Sequence, residues 1–276
     1  MENINKAIIL CGGYATRFLP QCKAVPKELL PLFNTPILQF LVDDLINNGV
    51  TKIIFVIRKG KEIILSHFLK NKKWESMVKN TAILSHFNKY NNIQFKYCYQ
   101  KNPNGTGGAL LCAKKHCNTP FYLLNGDEII YSKISLITQL KNAYLKHNNC
   151  VLATQKVDLI DAKKYGMLSM ENNNKILKII EKPQDTPPSL YSNLGAYVLT
   201  PEFMRFFPKQ YKGELPITDV INTYCKAKNM FGVEIVGQRF DMGNPLSYVF
   251  SNVKYCYLNN QTHLDTKNFL TNLLKE

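Results

Sequence analysis

Short apolar runs alternate along most of the chain with stretches whose apolar positions recur at intervals of three and four, the pattern of strand-helix-strand units. Residues 7–10 predict a first buried strand, 52–57 a second, 93–99 a third and 121–124 a fourth ending at Asn125-Gly126-Asp127. Between the first two, Thr35 reads as a cap and Pro36 as the opening of a helix. Its Ile37, Phe40, Leu41 and Leu45 share one face, and Gly49 ends it. A short helix from Gly108 follows the loop 100–107, and a longer one covers 135–147. Shorter strands then follow at 151–157, 166–170, 176–180, 194–199 and 233–236, with a helix capped at Thr218-Asp219. From Pro245 onward helical periodicity returns, and Leu264, Phe269, Leu270, Leu273 and Leu274 form an apolar stripe suited to a subunit contact. The pattern predicts an α/β protein with a doubly wound, mainly parallel sheet over 1–244 and a helical extension over 245–276. Its ligands should sit beyond the carboxyl ends of the strands.

Composition narrows the setting. A chain of 276 residues can bury a substantial core. Its net charge of +15 comes mostly from lysines spread among asparagines, which reads as a solvated surface and not as a nucleic-acid patch. That surface also suits attraction of anionic nucleotides and sugar phosphates. Cysteines at 11, 22, 98, 112, 117, 150, 225 and 256 show no Cys-x-x-Cys pair and read as reduced, buried thiols. No apolar run approaches the roughly 18 residues of a membrane span, and the stretch after Lys6 is too short for a signal peptide. A cytoplasmic protein without a membrane partner is expected.

The most specific chemistry follows the first strand. Cys11-Gly12-Gly13-Tyr14-Ala15-Thr16-Arg17, continued by Lys23 and Lys27, places a glycine turn and three cations where backbone N–H groups can face an anion. The run has neither the Gly-Lys-Ser/Thr ending of a P-loop nor the spacing of a dinucleotide fingerprint. It describes a site for a triphosphate.

Taken with four further segments, this run resembles the sugar-1-phosphate nucleotidyltransferases over roughly residues 4–250. The carriers are Lys23-Ala24-Val25-Pro26-Lys27-Glu28-Leu29-Leu30-Pro31, the segment from Gln100 to Ala109, Gly126-Asp127, Glu181-Lys182-Pro183 and Phe240-Asp241-Met242-Gly243, in family order and spacing. The resemblance implies a Rossmann-like, mixed but mainly parallel sheet with a glycosyltransferase-A-like nucleotidyltransferase core. It divides the core into a nucleotide-binding half over about 1–130 and a sugar-binding half over about 131–244. It implies UTP and α-D-glucose 1-phosphate as substrates, UDP-glucose and pyrophosphate as products, Mg²⁺ as cofactor, and a homo-oligomer. An oxygen of the sugar phosphate would attack the α-phosphorus. No general base is needed, because a phosphate monoester with a second pKa near about 6 is already an anion. The five histidines fall outside every motif and are not expected to act.

Residue by residue, the resemblance assigns Arg17 and Lys27 to the β- and γ-phosphates, Asp127 and Asp241 to the metal, and Lys182 to the sugar phosphate. Glu181 would accept from sugar hydroxyls, with Gly166, Asn193 and Gly195 allowing the sugar close to the backbone. Gln100 would read the mixed edge of uracil, and Gly12, Gly13 and Gly105 would complete the nucleotide pocket. The chain departs from the pattern at Ala15, where glycine is usual, at Gly108, where histidine or glutamine is common, at Ala196, where the uridylyltransferases carry arginine, and at Glu128 in the acidic pair. A dTTP-dependent enzyme, another sugar specificity and a non-catalytic nucleotide-sugar-binding regulator are the alternatives.

Overall fold

The computed structural model describes residues 4–275. Nine strands form one mixed sheet: β1 (Lys6–Leu10), β2 (Lys52–Ile57), β3 (Gln94–Tyr99), β4 (Phe121–Asn125), β5 (Cys150–Lys156), β6 (Gly166–Met170), β7 (Ile176–Glu181), β8 (Tyr191–Leu199) and β9 (Met230–Glu234). Parallel pairing runs β4-β1-β2-β3, with Ile9 between Phe55 and Leu124. Antiparallel β8 joins this half to β5 and β6, and its register against β5 shifts between Asn193 and Tyr197. The doubly wound sheet expected from the alternating pattern is what the chain forms.

Alternation along β1 divides the core into two layers. Ala7 and Ile9 face α1 (Ile37–Asn47) and, further along, α6 (Leu136–His147), whereas Ile8 faces α5 (Gly105–Cys112) and α7 (Ile217–Cys225). Each fully buried leucine or isoleucine in these layers contributes about 1.5–3 kcal/mol relative to exposure. Ser135 caps α6, its hydroxyl accepting from Thr138 N.

Several elements differ from the sequence pattern. Thr35 and Pro36 form a two-residue strand with Pro31 and Leu32, and α1 begins at Ile37 without a side-chain cap. The loop expected over 100–107 turns helical at Gly105, and α7 follows Pro216, so Thr218 lies inside it and does not cap it. Between β2 and β3 lie three short helices, α2 (Ile63–Phe68), α3 (Lys72–Glu75) and α4 (Thr81–Asn88); Phe68 packs on Phe55, Phe95 and Tyr90, the last from the turn that follows α4. All eight cysteines are free as expected, yet only Cys11, Cys22, Cys117 and Cys150 are fully buried.

The extension comprises α8 (Pro245–Leu258) and α9 (His263–Leu273). Asn244 caps α8. Tyr248 and Tyr255 pack edge-on to Phe18 and Phe240, and Tyr248 donates to Pro31 O at 2.5 Å. This helix is thereby fastened to the segments that carry Arg17 and Asp241. By contrast α9 buries nothing, and Leu264, Phe269, Leu273 and Leu274 are exposed.

Candidate active site

The carboxyl ends of β1 and β4 open on a cavity of about 340 Å³ lined by Gly12, Gly13, Lys27, Gln100, Gly105 and Asp127, among others. Its floor is an ion pair that no motif announced. Lys61 Nζ lies 2.8 Å from both oxygens of Glu28 and donates to Cys11 O at 2.8 Å, with both side chains almost wholly buried. One lysine therefore ties the glycine turn to the Lys27 segment. Burial pushes the Glu28 carboxyl up from its ordinary value, and Lys61 opposes that shift. Breaking such a pair on one side costs about 3–5 kcal/mol, because the remaining charge is stranded.

Three one-turn helices, Thr16–Phe18, Gln21–Lys23 and Lys27–Leu29, present the basic residues. Lys27 Nζ donates to Asp127 Oδ2 and to Met242 O at 3.3 Å, while Arg17 Nη1 donates to Gly243 O at 3.2 Å. Both cations thus hold the turn that carries Asp241, whose Oδ1 accepts from Gly243 N at 2.7 Å. Asp127 and Asp241 flank the same end of a small antiparallel ribbon in which Ile129 pairs with Phe240. Lys27 and Asp127 line the cavity directly, whereas Arg17 and Asp241 do not line it and are tied to Lys27 only through the 242–243 turn.

Also lining this cavity, Gln100 donates through Nε2 to Asn104 Oδ1 at 2.9 Å and to Gly105 O at 3.1 Å, so its donor is engaged within the protein. A Cβ on Gly12 would lie 2.3 Å from Gln100 Oε1, so the carboxamide keeps this position only beside a residue without a side chain. Gly105, at φ 81°, meets the Leu215 backbone, where a Cβ would come within 2.6 Å of Leu215 O.

A second cavity of about 380 Å³ adjoins the first and is lined by Gly166, Glu181, Lys182, Asn193 and Gly195. Gly105, Thr106, Asn125 and Glu214 line both cavities. Gly166 pairs with Glu181 across β6 and β7, and its missing Cβ leaves room for Glu181 Oε2. Lys182 has φ 44° and hydrogen-bonds through its backbone N–H to Tyr165 O at 3.0 Å. Asn193 donates to Tyr197 OH at 2.8 Å and accepts from Gly195 N at 2.9 Å, which closes the irregular turn in β8 around Gly195. There a Cβ would lie 2.0 Å from Asn125 Nδ2. Of the residues expected at the site, all but Arg17 and Asp241 line one of two cavities with a common wall.

Sequence reasoning missed Lys61, Asn104, Thr106, Glu214 and the pair between Glu128 and Arg239. Arg239 holds Glu128 at 2.5 and 3.1 Å and stacks on Tyr165 at 4.5 Å. Burial, with a smaller contribution from Asp127 and Asp241, pushes the Glu128 carboxyl up to about 7 against the pull of Arg239. None of the five histidines lines either cavity. A larger cavity of about 810 Å³ lies between α1 and α4 and contains none of the expected site residues.

The chain belongs to the nucleotidyl transferase family, whose model matches residues 6–256. It is 32% identical to a UTP-glucose-1-phosphate uridylyltransferase of Staphylococcus epidermidis over 99% of both chains. Against the UTP-glucose-1-phosphate uridylyltransferase of Bacillus subtilis it is 30% identical, over 100% of this chain and 99% of the other. A solved UDP-glucose pyrophosphorylase complexed with UDP-glucose is similar at a TM-score of 0.82 and 28% identity, covering 91% of this chain and 98% of that one.

Proposed function

We propose that this protein transfers the uridylyl group of UTP to α-D-glucose 1-phosphate, forming UDP-glucose and releasing pyrophosphate. The observation that carries this reading is the common wall of Gly105, Thr106, Asn125 and Glu214 between a cavity holding Lys27 and Asp127 and one holding Lys182 and Glu181. A nucleotide in the first and a sugar phosphate in the second meet at that wall. Full-length relatives named UTP-glucose-1-phosphate uridylyltransferase support the choice of substrates.

Catalysis here is charge neutralisation and alignment. Arg17, with its planar fork, and Lys27 receive the two phosphates that leave as pyrophosphate. Lys182 holds the attacking phosphate, and Glu181, Gly166, Asn193 and Gly195 hold the sugar. The attacking oxygen needs no base, and no histidine lies in either cavity to act as one.

Members of this family generally use a divalent metal, and Asp127 and Asp241 are the residues that would hold Mg²⁺. Their fit is tested by the cation that Asp127 already attracts, since Lys27 Nζ occupies one of its oxygens. Mg²⁺ takes few protein carboxylates and completes its shell with water and substrate phosphates, so two aspartates suffice. When bound it spreads the negative charge of the triphosphate. Among the described residues no group of three or more His, Cys, Asp or Glu gathers for a metal.

We assign the nucleotide to the half up to about residue 130 and the sugar to 131–244, with 245–276 as the extension. The bare apolar stripe of α9 makes a homo-oligomer the assembly we propose. No described helix is long and apolar enough to cross a membrane, and eight free thiols suit the cytoplasm.

Two of the departures from the family pattern are absorbed by packing, which does not favour a catalytically silent binder. Ala196 is buried in the core, and Gly108 makes room for Asn104. Incubation of the purified protein with Mg²⁺, UTP and glucose 1-phosphate should release pyrophosphate, with dTTP and other sugar 1-phosphates supporting slower release. Silence with UTP and glucose 1-phosphate overturns the assignment.

A further inference from the structure

We infer that Asn104 determines which pyrimidine this site accepts, by locking the Gln100 carboxamide with its oxygen toward the base. The inference rests on the reading that the nucleotide base lies in the cavity that Gly12 and Gln100 line.

The lock follows from what each group can donate. Gly105 O only accepts, so the atom of Gln100 that lies 3.1 Å from it is the nitrogen. The second hydrogen of that nitrogen goes to Asn104 Oδ1 at 2.9 Å. Asn104 turns its oxygen to Gln100 because only an acceptor can meet that hydrogen, and its own nitrogen donates to Tyr211 OH at 2.6 Å. Its backbone is pinned as well, with Leu215 N donating to Asn104 O at 2.8 Å. The side chain fits only because residue 108 is glycine: a Cβ there would lie 2.4 Å from Asn104 Cγ.

With both hydrogens committed, Gln100 offers the cavity an acceptor. Its Oε1 lies against Gly12, and no donor among the described residues meets it. Uracil presents N3–H, a donor, to such an oxygen, whereas cytosine presents a lone pair at N3. To serve cytosine the carboxamide must turn over, which sets oxygen against Gly105 O and requires Asn104 to turn with it. Asn104 is therefore a positioning residue for Gln100, and what it positions is the choice between UTP and CTP.

Binding of UTP and CTP, followed calorimetrically in Mg²⁺ without a sugar phosphate, tests this apart from turnover. The wild-type protein should bind UTP at least about tenfold more tightly than CTP, as expected where a site's polar groups match one base and oppose the other. Asn104→Ala should narrow that ratio by roughly fivefold, the worth of one neutral hydrogen bond. Tyr211→Phe, at a half-exposed position that threatens the fold little, should narrow it less. Asn104→Asp should keep or widen it, because a carboxylate only accepts. An unchanged ratio in both Asn104→Ala and Tyr211→Phe overturns the inference, as does wild-type protein that binds the two triphosphates equally or not at all. Discriminating binding without pyrophosphate release from UTP and glucose 1-phosphate would instead overturn the enzymatic reading and leave the role of Asn104 standing.

Discussion

Lys27 donates to Asp127, so a cation from the first glycine-loop segment already neutralises a carboxylate delivered by the end of the fourth parallel strand. The contact joins residues 100 positions apart. Under the proposed function, a triphosphate that drew Lys27 onto its own oxygens would free Asp127 for a metal ion. Because Lys27 also donates to Met242 O, the same side chain couples this exchange to the turn that carries Asp241.

Asp127→Asn tests that relationship. The amide oxygen can still accept from Lys27, so the fold should survive with a melting temperature within a few degrees of wild type. The lost negative charge should lower kcat for UTP and glucose 1-phosphate by at least about a hundredfold, the scale of removing one electrostatic element of a site. Steady-state pyrophosphate release beside thermal melts checks both halves, and near-normal turnover removes Asp127 from the metal site.

Ala15 has φ 51° and ψ 37°, the left-handed region, where an L-residue is strained by about 1–2 kcal/mol. Glycine is usual here in the family pattern, and this chain adopts the left-handed region with a side chain in place. Ala15→Gly should therefore raise stability by roughly 0.5 kcal/mol, the strain relieved less the extra freedom of glycine in the unfolded chain. Ala15→Val should lower it by more than that. Denaturant midpoints measure both changes, and a Gly variant less stable than wild type contradicts the strain.

Much of this site is legible in the sequence because each motif follows a strand, and apolar runs mark strands reliably. Asp127, Glu181 and Lys182 sit where 121–124 and 176–180 end, and the glycine turn that leads on to Lys27 sits where 7–10 ends. Lys61 was not legible, since its role depends on a tertiary approach to Glu28 and Cys11 that leaves no local pattern. Thr35 and Thr218 misled for a related reason: they have the chemistry of caps, but Pro36 and Pro216 hold extended conformations that start each helix without a side-chain bond. The helices of 63–88 are short, and tertiary aromatic contacts support them more than helical periodicity does. Asn104 escaped because an asparagine beside glycine is ordinary turn chemistry.

Stability should fall on the acid side through His67. Its Nε2 lies 2.8 Å from Gln39 Oε1, and burial holds its pKa below the ordinary value of 6.5, with Asp43 opposing. The folded protein thus keeps this ring neutral while the unfolded chain takes up a proton below about 6.5. The contribution is complete above that pH and is lost as the pH drops through it. Melting temperatures measured between pH 7.5 and 5.5 should decline, and His67→Gln should flatten part of the slope. Identical slopes in the two proteins would show that other groups carry the effect.

Gly166→Ala probes the sugar side without touching the phosphates. A Cβ at this position would lie 2.9 Å from Glu181 Oε2 and 3.1 Å from Ile179 Cγ2. The carboxylate, at the end of an exposed side chain, is the neighbour that can move. The expected result is a KM for glucose 1-phosphate raised about tenfold, the order of one charge-assisted hydrogen bond, with the KM for UTP and the melting temperature nearly unchanged. Glu181→Gln should move the same parameter in the same direction. An unaltered KM for glucose 1-phosphate in both variants would place the sugar hydroxyls away from Glu181, because nothing else at Gly166 reaches into the cavity.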